Sequence, residues 1–145
     1  MKFKRIMAMV LSAICLFTTV GTVAYADAVS SPDYGIAPAY EYADNPTSKL
    51  TISGQTANCQ SDADGFDTVS ITVEQTLEKY SGWFWIWNNV DGASWTKTVN
   101  TNSISMSNSK SGLSSGTYRL KSVFTLTSSS GKTETITIYS AEKSI

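Results

Sequence analysis

From Lys49 onward the apolar residues fall on every second position, the pattern of half-buried β-strands. Leu50 and Ile52 begin the series, and after Gly54 the phase moves to Ala57 and Cys59, a shift expected of one bulged residue. Val69, Ile71 and Val73 carry a further strand that Leu77 continues. Next come a strand through the tryptophans of "SGWFWIWNN" (Ser81 to Asn89), one from Trp95 to Val99, and a short one at Ile104 and Met106. The clearest are the last two, with Tyr118, Leu120, Ser122, Phe124 and Leu126 alternating, and then Glu134, Ile136 and Ile138. Between them "SSSGK" supplies a turn with a glycine free to take positive φ. Ser and Thr occupy most opposite positions, and no run of ten residues past the leader repeats with helical period. Short strands at turn-separated intervals predict a single antiparallel β-sandwich over residues 48–145.

Ahead of that domain the pattern changes. Lys2, Lys4 and Arg5 precede an uncharged, mostly apolar run from Ile6 to Val23 and then Ala24-Tyr25-Ala26, which reads as a signal peptide over residues 1–26 with cleavage before Asp27. An uncleaved anchor is the alternative reading, since the run approaches the ~20 residues that span a bilayer. Cleavage is preferred because a small-x-small site and a polar stretch follow, leaving no stable membrane span and a secreted, extracellular protein. Cys15 lies inside the apolar run after Ile14, where a lipid-anchored cysteine requires a small residue. Residues 27–47 hold all three prolines, Pro32, Pro38 and Pro46, and read as a linker or a loose edge strand around Tyr40-Glu41-Tyr42.

Composition narrows the chemistry. Without Lys2, Lys4 and Arg5 the eleven basic residues become eight, against twelve acidic ones. A net charge of about −4 with no basic face recommends neither nucleic acid nor an anionic membrane as partner. No histidine is present, which removes the usual neutral-pH base, the Ser/His and Cys/His nucleophile pairs and the commonest zinc ligand. Glu74 and Glu78 are four residues apart on one predicted strand, roughly 13 Å, too far for either glycosidase geometry. The expectation is a non-enzymatic protein with no cofactor. After cleavage Cys59 has no partner cysteine in the chain, so it is read as a buried, inert thiol or as one half of an intermolecular disulfide.

"DADGFD", Asp62 to Asp67, gathers three carboxylates around a glycine, and Asp62, Asp64 and Asp67 are weak candidates for calcium. The EF-hand pattern fails, because Gly65 comes two positions early and no glutamate closes the loop; a solvated turn explains the same residues.

Three segments, "LEKYSG" followed closely by tryptophan, "SSGTYRLK" and "SSSGKTETITIYS", together resemble a family of small secreted proteins of Gram-positive bacteria. That resemblance, from about Lys49 to Ser140, implies an immunoglobulin-like β-sandwich and an extracellular address, and it carries no catalytic residues. It also leads one to expect a single tryptophan near Trp85, where this chain has three. Tyr118 in "GTYRL" has its own physical reading as a corner tyrosine, whose hydroxyl bonds back to backbone a few residues upstream. Where disulfide-bonded immunoglobulin domains place a cysteine two positions later, this chain has Leu120.

As a strand, the tryptophan segment puts Trp83, Trp85 and Trp87 on one face and Phe84 and Ile86 on the other. Both faces are then apolar. Burying one tryptophan of ~200 Å² is worth about 5 kcal/mol, so Trp85 is expected in the core with Trp83 and Trp87 at its rims, at least one of them partly exposed. An exposed row suggests two functions: stacking on sugar rings of a cell-wall or other polysaccharide, with Trp95, Asn88, Asn89 and Asp91 nearby to take hydroxyls, or docking on another extracellular protein or a membrane interface.

Overall fold

A computed structural model of the protein describes residues 39–145. The expected leader, the first part of the linker and the cleavage site lie outside the described residues. The chain forms strands β1 (Ala43–Ser53), β2 (Thr56–Gly65), β3 (Thr68–Ser81), β4 (Ile86–Val99), β5 (Ser103–Lys110), β6 (Thr117–Ser128), β7 (Thr133–Tyr139) and β8 (Lys143–Ser144). Among the described residues there is no helix.

Two antiparallel sheets face each other, one in the order β1-β2-β5 and the other β4-β3-β6-β7, with β8 pairing the start of β6. The expected immunoglobulin-like sandwich is the fold. Its core is built by the predicted alternation: Ile71, Val73, Gln75 and Leu77 of β3 and Tyr118, Leu120, Ser122, Phe124 and Leu126 of β6 all point inward and are buried. Val69 breaks the phase. A register shift between Thr68 and Ser70 turns it outward and buries Thr68 in its place, as a bulge does.

Two apolar clusters fill the space between the sheets. One contains Ile71, Val73, Ile104, Phe124, Leu126 and Ile136, the other Leu50, Cys59, Leu77, Tyr118 and Leu120. A polar layer separates them. Gln75 Nε2 donates to Ser61 Oγ at 2.7 Å and to the Met106 carbonyl at 3.2 Å, while its Oε1 accepts from Asn108 Nδ2 at 2.8 Å. Ser61 and Ser122 share a hydrogen bond of 2.7 Å, Ser122 donates to Ser48, and Ser48 donates to the Leu120 carbonyl. Because Ser61 already accepts from Gln75 and Ser122 already donates to Ser48, the shared proton belongs to Ser61. The chain of bonds therefore runs one way and ties β1, β2 and β5 to β3 and β6.

Two boundaries differ from the sequence reading. Gly54, at φ 56°, and Gln55 form a two-residue hairpin with Ser53 paired to Thr56, so the change of phase there is a chain reversal and not a bulge. The domain also starts earlier than Lys49. Tyr42 is buried, and the Glu134 carboxylate accepts hydrogen bonds from the amides of Glu41 and Tyr42 at 2.9 and 2.8 Å, holding the incoming chain to β7. Pro46 sits within β1, an edge strand, where the register shifts between Asp44 and Thr47, and so no ladder bond is lost to it. The corner tyrosine is in place: Tyr118 Oη donates to the Ser114 carbonyl at 2.6 Å.

Candidate functional site

The expected tryptophan strand does not form. Gly82–Trp85 is the turn of the β3–β4 hairpin, closed by the pair Ser81–Ile86 and by the amides of Phe84 and Trp85, which donate to the Ser81 carbonyl at 3.2 and 2.9 Å. Ile86 and Trp87 instead begin the long strand that also holds Trp95 to Val99. The physical reason lies in the facing layer. At this end the three-stranded sheet stops at the Gly54-Gln55 turn, so no second sheet lies opposite to bury indoles, while Ser81-Gly82 favours reversal.

Trp85 is therefore not a core residue. It is 82% exposed, with Trp83 at 86%, Phe84 at 67% and Ile86 at 48%. Together they present an apolar tip on the order of 600 Å², the size of the largest patch on a typical monomer, where such patches are often functional. Trp85 also holds a φ of 58°, a left-handed conformation that costs a bulky residue on the order of 1–2 kcal/mol. Neither that cost nor the exposed area is offset by burial within the domain.

Below the tip, Trp87 lies on the outer face of the larger sheet in a stack of side chains. Its ring is 5.3 Å from that of Tyr80, and the Arg119 guanidinium lies 4.2 Å from the Trp87 ring and 4.1 Å from the Tyr139 ring. Arg119 Nε bonds Glu78 Oε2 at 2.7 Å, leaving the Glu78 side chain only 8% exposed. Four strands contribute to this stack. It anchors the base of the projecting hairpin. The sequence showed Arg119 two positions from Thr117 and Lys121 on an outward parity, but not that Trp87 and Tyr139, on strands that do not pair with each other, would sandwich it.

On the inner side of the hairpin a groove of about 400 Å³ is lined by Lys79, Ser81, Asn88, Asn89, Lys110 and Ser114 among others, with no carboxylate on its wall. Lys79 Nζ donates to Ser114 Oγ at 2.7 Å and lies 5.4 Å from the Tyr118 ring. Asn88 and Asn89 thus stand near the tip, on opposite faces of β4, opposite Lys79 and Glu78. Trp95 does not. It pairs with Gln75 and packs, half-buried, against both core clusters, six β3 residues or roughly 20 Å from Ser81. Asp91 sits in a bulge that Gly92, at φ 67°, makes in β4. A larger trough of about 620 Å³ on the outer face of the smaller sheet, lined by Lys49, Asn58, Gln60 and Ser107, contains no aromatic ring.

The calcium candidates lie away from the tip, from roughly 20 Å behind Ser81 at Asp62, beside the Ser61–Gln75 bond, to roughly 45 Å at Asp67, the length of β3. Asp62 and Asp64 belong to β2 and Asp67 to the β2–β3 turn, and they do not converge: Asp62 accepts from Gln60 Nε2 and Asp67 from Ser129 Oγ. Among the described residues no three His, Cys, Asp or Glu gather as a metal-binding group. Strand geometry is the cause, since i and i+2 carboxylates point the same way but are spaced by the pleat.

Cys59 is 1% exposed, and burial pushes its thiol from the ordinary value near 9 up to about 11. The native protein at pH 8 is expected to leave Cys59 unlabelled by a thiol reagent that labels it fully once unfolded, as peptide mass spectrometry would read. The same shift sets a pH dependence. Below pH 9 the buried neutral thiol costs nothing, whereas between pH 9 and about 11 the unfolded chain ionises first and stability falls by about 1 kcal/mol per pH unit.

The acidic and basic residues are unevenly placed. Around the tip are Lys79, Lys110, Arg119 and Lys143, against Glu78, Asp91 and Glu142; around the far end are Glu41, Asp44, Asp62, Asp64, Asp67 and Glu134, against Lys97 and Lys132. No model of a known protein family matches this chain, and no curated protein matches it.

Proposed function

We propose that this protein is a non-enzymatic binding module working outside the cell, and that its contact element is the β3–β4 tip, Trp83 to Ile86. The observation that carries this reading is the exposure of four consecutive apolar residues, one of them a tryptophan in a left-handed conformation. A marginally stable domain gains nothing internal from such a turn. Absence of histidine and the raised thiol of Cys59 support a role in binding over one in catalysis. A flat row of indoles for sugar rings needs Trp83, Trp85 and Trp87 on one strand face, which the turn does not provide. Polysaccharide binding is accordingly one outcome of the test.

The test is co-sedimentation of the purified protein with a panel of cell-wall sacculi, chitin, cellulose and phospholipid vesicles, beside a Trp83→Ala/Trp85→Ala variant. That variant should unfold within about 0.5 kcal/mol of the parent, since both side chains are exposed. At least one surface should retain the parent and release the variant. Equal retention of both proteins on every surface, or of neither on any, would remove the tip from the function.

A further inference from the structure

We infer that the tip and the groove behind it form one site for an anionic phospholipid surface, the indoles inserting into the interface while Lys79 and Lys110 meet the phosphates. The inference rests on the tip being the contact element and names what it contacts.

Shape is the first argument. A convex tip suits a medium that closes around it, and the apolar residues reach about three positions beyond Lys79 and Asn88, roughly 10 Å of extended chain. That matches the ~5–10 Å to which interfacial elements sink below the headgroups. Its composition agrees with its shape, because tryptophan settles where one side of the ring is apolar and the other wet. Directly above this depth Ser81, Asn88, Asn89 and Lys79 line the groove at headgroup level, with the Tyr80–Trp87 pair at the same height, an amphipathic collar suited to an interface.

Charge is the second. The groove at the collar holds two ammonium groups, Lys79 and Lys110, and two amide side chains, without a carboxylate. Net charge says the opposite, since the chain as a whole is acidic. Distribution decides between them: the acids Glu41, Asp44, Asp62, Asp64, Asp67 and Glu134 lie back along the sandwich, from roughly 20 Å behind Ser81 at Asp62, beside the Ser61–Gln75 bond, to roughly 45 Å at Asp67, two or more Debye lengths away at physiological salt. Nearer the tip Glu78 is paired with Arg119, and neither Asp91 nor Glu142 lines the groove, so an anionic surface touched by the tip meets Lys79 and Lys110 first. The field also orients the molecule, drawing the tip toward the membrane and turning the far end from it.

The experiment measures binding to vesicles of phosphatidylcholine alone and of phosphatidylcholine mixed with phosphatidylglycerol, by co-sedimentation and by tryptophan emission. The mixed vesicles should bind the protein with a blue shift and with quenching by lipids brominated near the headgroup, and salt should weaken binding. Lys79→Gln/Lys110→Gln, checked by circular dichroism, should bind mixed vesicles about thirtyfold more weakly, from a factor of about five per lysine, and so fall toward the phosphatidylcholine level. Trp83→Ser/Trp85→Ser should lose about a hundredfold on either vesicle. No binding to mixed vesicles, or binding indifferent to both lysines, would overturn the inference. Tip-dependent retention on a polysaccharide but not on vesicles would overturn it while leaving the tip as the contact element; indifference of every surface to the tip would remove both.

Discussion

Gln75→Ala is expected to lower the unfolding free energy by about 3–4 kcal/mol, the largest single-residue effect predicted for this protein. Gln75 is fully buried and makes three hydrogen bonds, to Ser61, Met106 and Asn108. Each net bond is worth about 1 kcal/mol, but truncation also strands the Met106 carbonyl in a desolvated site, at about 1–3 kcal/mol, and leaves a small cavity. Asn108, only partly buried, can recover water. Gln75→Leu restores the volume without the bonds and should lose somewhat less, about 2–3 kcal/mol. The comparison by urea denaturation separates the two terms. A Gln75→Ala loss below about 1 kcal/mol would mean that the polar layer is not what holds the sheets in register.

Arg119→Ala is the second, with an expected loss of about 2–4 kcal/mol. Removing the guanidinium leaves Glu78 nearly buried without a counter-charge, and breaking such a pair typically costs about 3–5 kcal/mol. The Arg119 side chain is 22% exposed, so solvent screening reduces the ionic part. Loss of two ring contacts, to Trp87 and Tyr139, adds about 0.5–1 kcal/mol each. Arg119→Lys keeps the charge but not the planar stack and should recover only part of the loss. Thermal unfolding followed by near-ultraviolet circular dichroism reads both stability and the Trp87 environment. A variant as stable as the parent, with its aromatic signal unchanged, would show the stack to be incidental. Because the stack braces the base of the hairpin, Arg119→Ala should also weaken any binding made by the tip, whereas Gln75→Ala should not at temperatures where it remains folded.

These two residues show where sequence reading succeeds and where it stops. Period-two alternation placed Ile71, Leu77, Tyr118 and Phe124 in a core because the pleat alone decides which way a side chain faces. The same rule places Gln75 and Ser122 inward, yet it cannot show that they meet, since Ser61 and Ser122 are sixty-one residues apart. Alternation failed at Trp83 to Ile86 because a hairpin tip and a strand with two apolar faces have the same composition. Burial arithmetic then favoured the core for Trp85, on the assumption that a facing layer existed.

By itself, then, the chain's pattern determined the class of fold, the corner tyrosine, the inward face of β3 and β6, and the turn at Gly131, because each depends on local geometry within a few residues. Tertiary structure alone decided where the strands of the two sheets end. From that one arrangement follow the exposure of Trp83 and Trp85, the withdrawal of Trp95 into the core edge, the separation of Asp62, Asp64 and Asp67 from the tip, and the placing of Lys79 and Lys110 on one groove. All of these depend on contacts between distant segments, and a sheet's edge is set by the layer it lacks as much as by its own residues.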